Sequence, residues 1–122
     1  MKRKRILIAE DERPIANALN LKLQSEGFDT YIVYNGKEAV KALNDSSYDL
    51  LLLDLIMPEK NGYFVLEHIK HLNDNISVVI ISNLSQDEDK QKTKELGAID
   101  YIVKSDTTLV EIIKRIKKVL DK

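Results

Sequence analysis

The chain contains no cysteine, which rules out a disulfide framework, a thiolate zinc site and a cysteine nucleophile, and suits a reducing cytosol. It also lacks a charge excess. Nineteen Lys plus Arg against twenty Asp plus Glu leave a formal charge of −1, so the bulk field favours neither nucleic acid nor an anionic membrane, and charge-based function must be local. No apolar stretch approaches the roughly 18 to 20 residues that span a bilayer. The apolar run Ile6 to Ala9 behind Lys2-Arg3-Lys4-Arg5 is too short for a signal-peptide core, and the basic run reads as a solvated N-terminal flank. There is no internal repeat, low-complexity tract or linker rich in Pro, Gly or Ser. What remains at 122 residues is one domain, 1–122, large enough to bury a continuous core and expected to be cytoplasmic.

Apolar runs of strand length alternate with segments of helical period, the pattern of a parallel sheet covered on both faces. The strands are expected at Arg5 to Ala9, Thr30 to Tyr34, Leu50 to Asp54, Ser77 to Ser82 and Asp100 to Val103. Pro14 suits the first turn of a helix that runs to about Glu26, with Ile15, Leu19 and Leu23 inward and Gly27 as its stop. Leu21 falls off that face and is expected to be exposed, with buried fill the open alternative. Asn35-Gly36 opens the second helix, which turns Ala39, Val40 and Leu43 inward. Asn61-Gly62 precedes the third, with Phe64, Val65, Ile69 and Leu72 as its apolar positions. Ser85 and Glu88 form an S-x-x-E capping box for the fourth, which Gly97 ends; Thr108 and Glu111 repeat the box for the fifth. In the fifth, Leu109, Ile112, Ile113, Ile116 and Leu120 keep helical spacing. Between Gln86 and Glu95 the fourth has no large apolar residue, so packing holds it weakly and it should be the loosest element.

In an open parallel sheet, ligands bind beyond the carboxyl ends of the strands. There the first strand runs into Glu10-Asp11, the third ends in Asp54, the fourth in Ser82, and the fifth leads into Lys104. Asp54 is embedded between Leu50 to Leu53 and Leu55-Ile56-Met57, an unusual setting for a surface acid. Two carboxylates about 5 Å apart repel by roughly 3 kcal/mol at an effective dielectric near 20. Something cationic must relieve them. Oxygen ligands with open positions suit Mg²⁺ better than Zn²⁺ or Ca²⁺, and no D-x-D-x-D-G calcium loop is present. A carboxylate, a dication, an ammonium and a hydroxyl around one point are what phosphoryl transfer to an aspartate requires. His68 and His71 fall on the third helix, away from the strand ends, so no general base is at hand and the donor must be reactive.

The pieces Ile6-Leu7-Ile8-Ala9-Glu10-Asp11-Glu12, Asp49 to Pro58 with Gly62, Val78 to Ser82 and Gly97 to Lys104 stand in an order and spacing that resembles the receiver domain of two-component response regulators, over essentially the whole chain. The resemblance implies an α/β fold, a doubly wound five-stranded parallel sheet of order 2-1-3-4-5, the flavodoxin-like (βα)5 receiver. It implies that Asp54 is the phosphoacceptor. Asp11, Asp54 and the carbonyl of Ile56 would bind Mg²⁺, with Glu10 helping through water. Lys104 would pair with the phosphoryl group, Ser82 would move to hydrogen-bond it, and Tyr101 would turn inward, re-posing the fourth and fifth helices. The implied donor is a sensor histidine kinase or histidine phosphotransfer protein. The downstream target would be a protein of unstated identity, with no direct nucleic acid or membrane contact, and the chain a monomer or weak dimer. Such a chain accepts phosphate on itself and turns over no substrate beyond slow autodephosphorylation; it is either a stand-alone receiver or one domain of a longer protein.

Three places depart from the family pattern. Ser105 follows Lys104 where proline is usual, so that peptide is either trans or a non-proline cis bond costing about 3 kcal/mol. Asn83 stands after Ser82 where a smaller residue is usual, and its longer amide either narrows access or donates a hydrogen bond. Ile56 and Leu84, at the positions that flank the attacking water, are both apolar, so the aspartyl phosphate is expected to be long-lived. Three rivals have less support. A flavin or nucleotide module needs a Gly/Ser/Thr-rich loop where Glu10-Asp11-Glu12 stands. A phosphorylation-independent interaction module would be expected to lack the acceptor, lysine or hydroxyl. A metal-dependent phosphatase needs a second carboxylate where Ile56 stands.

Overall fold

Four consecutive leucines, Leu50 to Leu53, can form a strand only where both faces are covered, and all of them are fully buried at the centre of the sheet. The computed structural model describes residues 3–72 and 75–121; Lys2 of the basic run and both ends of the expected 1–122 span lie outside them. The elements alternate along the chain: β1 (Arg5–Ala9), α1 (Arg13–Ser25), β2 (Asp29–Val33), α2 (Gly36–Asp45), β3 (Leu50–Leu53), α3 (Gly62–Lys70), β4 (Ser77–Ser82), α4 (Asp87–Glu95), β5 (Asp100–Val103) and α5 (Leu109–Leu120), with a 3-10 turn at Lys104–Asp106 before the last helix. The strands are all parallel in the order β2-β1-β3-β4-β5, as the family resemblance implied.

Strand alternation divides the core in two. Ile6, Ile8, Leu50, Leu52, Val79 and Ile81 face α1 and α5, where Leu19, Leu23, Ile112, Ile113 and Ile116 meet them. Leu7, Ala9, Leu51, Leu53, Val78 and Ile80 face the other way, onto Ala39 and Leu43 of α2 and Val65 and Leu66 of α3. Gly27 and Gly97 end α1 and α4 with φ of 95° and 103°, the left-handed conformation that glycine adopts without steric cost. Leu21 is 67% exposed, the first of the two alternatives its spacing left open.

Several expectations need correction. β2 starts and ends one residue earlier than expected, and β3 stops at Leu53, leaving Asp54 just beyond the strand. Phe64 is 42% exposed while Leu66 is buried in its place. α4 begins at Asp87 with Gln86 before it and no side-chain cap, so the Ser85–Glu88 box does not form. Leu109 lies at the exposed edge of α5. Arg5 is no mere solvated flank: its guanidinium stacks 5.0 Å from the Tyr31 ring centroid and 4.9 Å from that of Tyr48.

Candidate functional site

Because every strand runs the same way, the residues that follow them emerge on one edge of the sheet. Glu10, directly after β1, is completely buried, and Asp54, after β3, is 3% exposed. The Asp54 amide donates to the Ala9 carbonyl at 3.0 Å, which extends the β1–β3 ladder by one step and fixes where the carboxylate leaves the sheet. One of its oxygens, Oδ1, accepts from the Ile56 amide at 3.1 Å. The other accepts from Lys104 Nζ at 3.0 Å.

Lys104 starts the 3-10 turn after β5 and brings its ammonium from the far side. Nζ lies 2.6 Å from Glu10 Oε1, 2.8 Å from Glu12 Oε2 and 3.0 Å from Asp54 Oδ2. Burial disfavours the charged lysine, but these carboxylates outweigh it and hold its pKa above the ordinary lysine value. The Glu10 carboxyl is pushed up to about 7, with burial the largest cause and the neighbouring Asp54 adding to it, while Lys104 offsets part of the rise. One ammonium thus serves three carboxylates, and with Asp11 the local charge stays strongly negative. Glu12, which sequence reasoning passed over, belongs to this cluster. Its signal was available in the acidic triplet Glu10-Asp11-Glu12, but spacing alone does not reveal that the third member reaches Lys104.

Glu10, Asp11 and Asp54 each direct a carboxylate oxygen to within 4.8 Å of the others. Glu10 Oε1 is buried and faces the Lys104 ammonium at 2.6 Å. Three carboxylate oxygens this close, sharing one ammonium, form a donor set that fits a hard dication such as Mg²⁺. Asp11, Glu12, Asp54, Ile56, Asn83 and Lys104 line a pocket of about 180 Å³, room for a phosphoryl group and a few waters at about 30 Å³ each.

The loop that carries Asp54 is clamped from behind. Gly36 N and Lys37 N, the first amides of α2, donate to the carbonyls of Lys60 and Glu59, each at 3.0 Å. Glu59 and Lys60 adopt φ of 53° and 91°, unfavourable for residues with side chains. A Cβ on Gly36 would sit 2.1 Å from the Lys60 carbonyl oxygen, and one on Gly62 2.5 Å from that of Asp54. Both glycines are therefore required by space.

Ser82 is gathered to the same edge but does not line the pocket. It is fully buried, and its Oγ accepts from the Leu84 amide at 3.2 Å. Tyr101 on β5 donates its hydroxyl to the Leu84 carbonyl at 2.6 Å and packs against the α2–α3 half of the core, so its ring is already turned inward. The peptide groups of Leu84 thus join the two expected switch residues. The Leu84 side chain also packs into that half of the core, leaving Ile56 alone of the two apolar flanking residues at the pocket. His68 bonds Asn44 at 2.9 Å and His71 caps the end of α3, both remote from this edge. No cis peptide occurs among the described residues, so Lys104–Ser105 is trans.

A family model described as "Response regulator receiver domain" matches residues 6–117. The response regulator ArlR of Staphylococcus saprophyticus is 37% identical over 116 residues, covering 95% of this chain and 52% of that protein; the chain spans about half the length of this curated relative. The receiver domain of the Francisella response regulator 1452 superposes with a TM-score of 0.86 at 32% identity, covering 93% of each chain. A CheY-like response regulator receiver domain from Methanospirillum hungatei JF-1 superposes with a TM-score of 0.92 at 25% identity, covering 98% of this chain and 95% of its own.

Proposed function

This chain belongs to the response regulator receiver domain family, and from that premise we propose that Asp54 accepts a phosphoryl group from a phosphohistidine of a cytoplasmic sensor kinase or phosphotransfer protein. The observation that carries the reading is a nearly buried Asp54 carboxylate held at 3.0 Å by Lys104 within a cluster of carboxylate oxygens no more than 4.8 Å apart. An Asp54 carboxylate oxygen attacks phosphorus, the P–N bond of the donor breaks, and its electron pair stays on the imidazole nitrogen, which takes up a proton. Lys104 then exchanges a carboxylate for a phosphoryl oxygen and stabilises its charge. Mg²⁺, held by Asp11, Asp54 and the Ile56 carbonyl with Glu10 acting through water, would supply neutralising positive charge to the phosphoryl oxygens.

The relay outward starts at Leu84. Once Ser82 turns its hydroxyl to the phosphoryl group, the Leu84 amide loses its acceptor, and the same residue's carbonyl holds Tyr101. The surface of α4, β5 and α5 is therefore the one that changes. Apolar Ile56 at the pocket orients no water, so hydrolysis is slow and the chain acts as an acceptor, not as a turnover enzyme. Exposed Leu21 on α1 belongs to the face that meets the donor.

Intact mass after incubation with acetyl phosphate and Mg²⁺ tests the reading. The parent gains a phosphoryl mass that Asp54→Ala lacks; equal gain by both, or none by the parent, refutes it.

A further inference from the structure

Two of the residues at which this chain departs from the family pattern, Asn83 and Ser105, are bonded to each other. The Ser105 backbone N–H donates to Asn83 Oδ1 at 3.0 Å, linking the loop after β4 to the turn after β5. Proline at position 105 has no N–H and could not make this bond. Because a backbone N–H only donates, it also identifies the two ends of the carboxamide: the oxygen faces Ser105, and Nδ2 with its two hydrogens is the other arm. Asn83 lines the pocket with Asp54 and Lys104, whereas the next residue, Leu84, packs into the core.

That pocket is short of donors. Its walls carry three carboxylates, and its lysine is already shared among Glu10, Glu12 and Asp54. A phosphoryl group brings three oxygens that need donors, and hydrogen bonds to such charged acceptors are the strong ones. An amide supplies a donor without a positive charge that would compete with a bound cation. One already held in place loses little freedom on engagement.

We infer that Asn83 is a further phosphoryl-binding residue of this site, donating from Nδ2 to an oxygen of the phosphoryl group on Asp54, and that Ser105 is the positioning residue that holds the carboxamide for it. The inference rests on the Asp54 reading and deepens it. Serine is present at 105 for its N–H, not for its hydroxyl. Asn83 and Ser105 therefore act as a unit, and changes at the two positions do not add.

The probe is beryllofluoride, a phosphoryl mimic, titrated calorimetrically into the whole chain at saturating Mg²⁺, with Mg²⁺ affinity measured separately. Asn83→Ala weakens beryllofluoride binding about tenfold, the scale of one hydrogen bond to a charged group, and leaves Mg²⁺ affinity unchanged. Ser105→Pro weakens it in the same direction, the double variant is no worse than Asn83→Ala, and Ser105→Ala, which keeps the N–H, matches the parent. A purely structural role would not separate mimic from metal in this way. Should Ser105→Pro fail to fold, Asn83→Ala and Ser105→Ala still decide the matter. Parent-like binding by Asn83→Ala, additive losses, or weakening by Ser105→Ala overturns the inference while leaving Asp54 intact as the acceptor. A parent that neither binds the mimic nor takes up phosphate from acetyl phosphate overturns both.

Discussion

α4 and α5 follow neighbouring strands and are each preceded by a hydroxyl residue with Glu three positions later, yet the protein treats them differently. In α5 the Thr108 side chain accepts from the Glu111 amide at 3.2 Å, and Ile112, Ile113 and Ile116 are buried under the sheet. In α4 the cap is unused and Thr93 is its sole buried residue. α4 is held at its sides: Tyr63 of α3 donates to Asp89 at 2.7 Å, and Lys92 lies 4.4 Å from the Tyr63 ring centroid. The rest is local charge order, with Asp87, Glu88 and Asp89 in the first turn and Lys92 and Lys94 in the last, which complements the helix dipole. A capping signal in sequence is thus a local offer, taken up where burial already fixes the first turn. The element left loosely held sits beside the Leu84 peptide and has the least to lose by moving.

The contrast can be broken from the α5 side first. Ile116→Ala removes a fully buried side chain and should lower stability by about 3 kcal/mol, read from the urea midpoint; no single truncation of an α4 side chain should approach that. Thr108→Ala deletes a working cap and should cost about 1 kcal/mol. Tyr63→Phe keeps the ring under Lys92 but removes the bond to Asp89. Its phenol, held above the ordinary tyrosine value by burial and by Asp89, keeps its proton across the physiological range and so remains a donor. The loss should be about 0.5 kcal/mol, but amide exchange should quicken in α4 and not in α5. Ser85→Ala should change stability by less than about 0.3 kcal/mol, because the cap it suggests is not made. A Ser85→Ala loss as large as that of Thr108→Ala would erase the distinction.

The sheet and its carboxyl edge were legible because buried strands are written as unbroken apolar runs, and the first polar residue after each run marks where the chain leaves the core. Glu10, Asp54, Ser82 and Lys104 were found that way. The edge strand β2 was misplaced by one residue because its half-exposed sequence alternates too weakly to fix its ends. Phe64 was chosen over Leu66 because α3 is short and apolar on several sides, so that periodicity does not select a face. Glu12 on Lys104 and Asn83 on Ser105 lay beyond reach for another reason: each pair is made by side-chain length and loop path between distant segments, and spacing carries neither. Both members of the second pair were nevertheless visible as oddities, and two local irregularities that explain each other are what a long-range contact looks like in one dimension.

Gly36 gives the loop that carries Asp54 an unexpected guardian. It belongs to α2, on the face of the sheet opposite α1 and α5, and touches no group that handles phosphate, yet a single added methyl would strike the carbonyl of Lys60 and displace the segment behind Asp54. Anyone redesigning this receiver to respond to a new donor has more latitude among the side chains that line the opening than at this bare position on the reverse side, where the tolerance is smaller than one carbon atom.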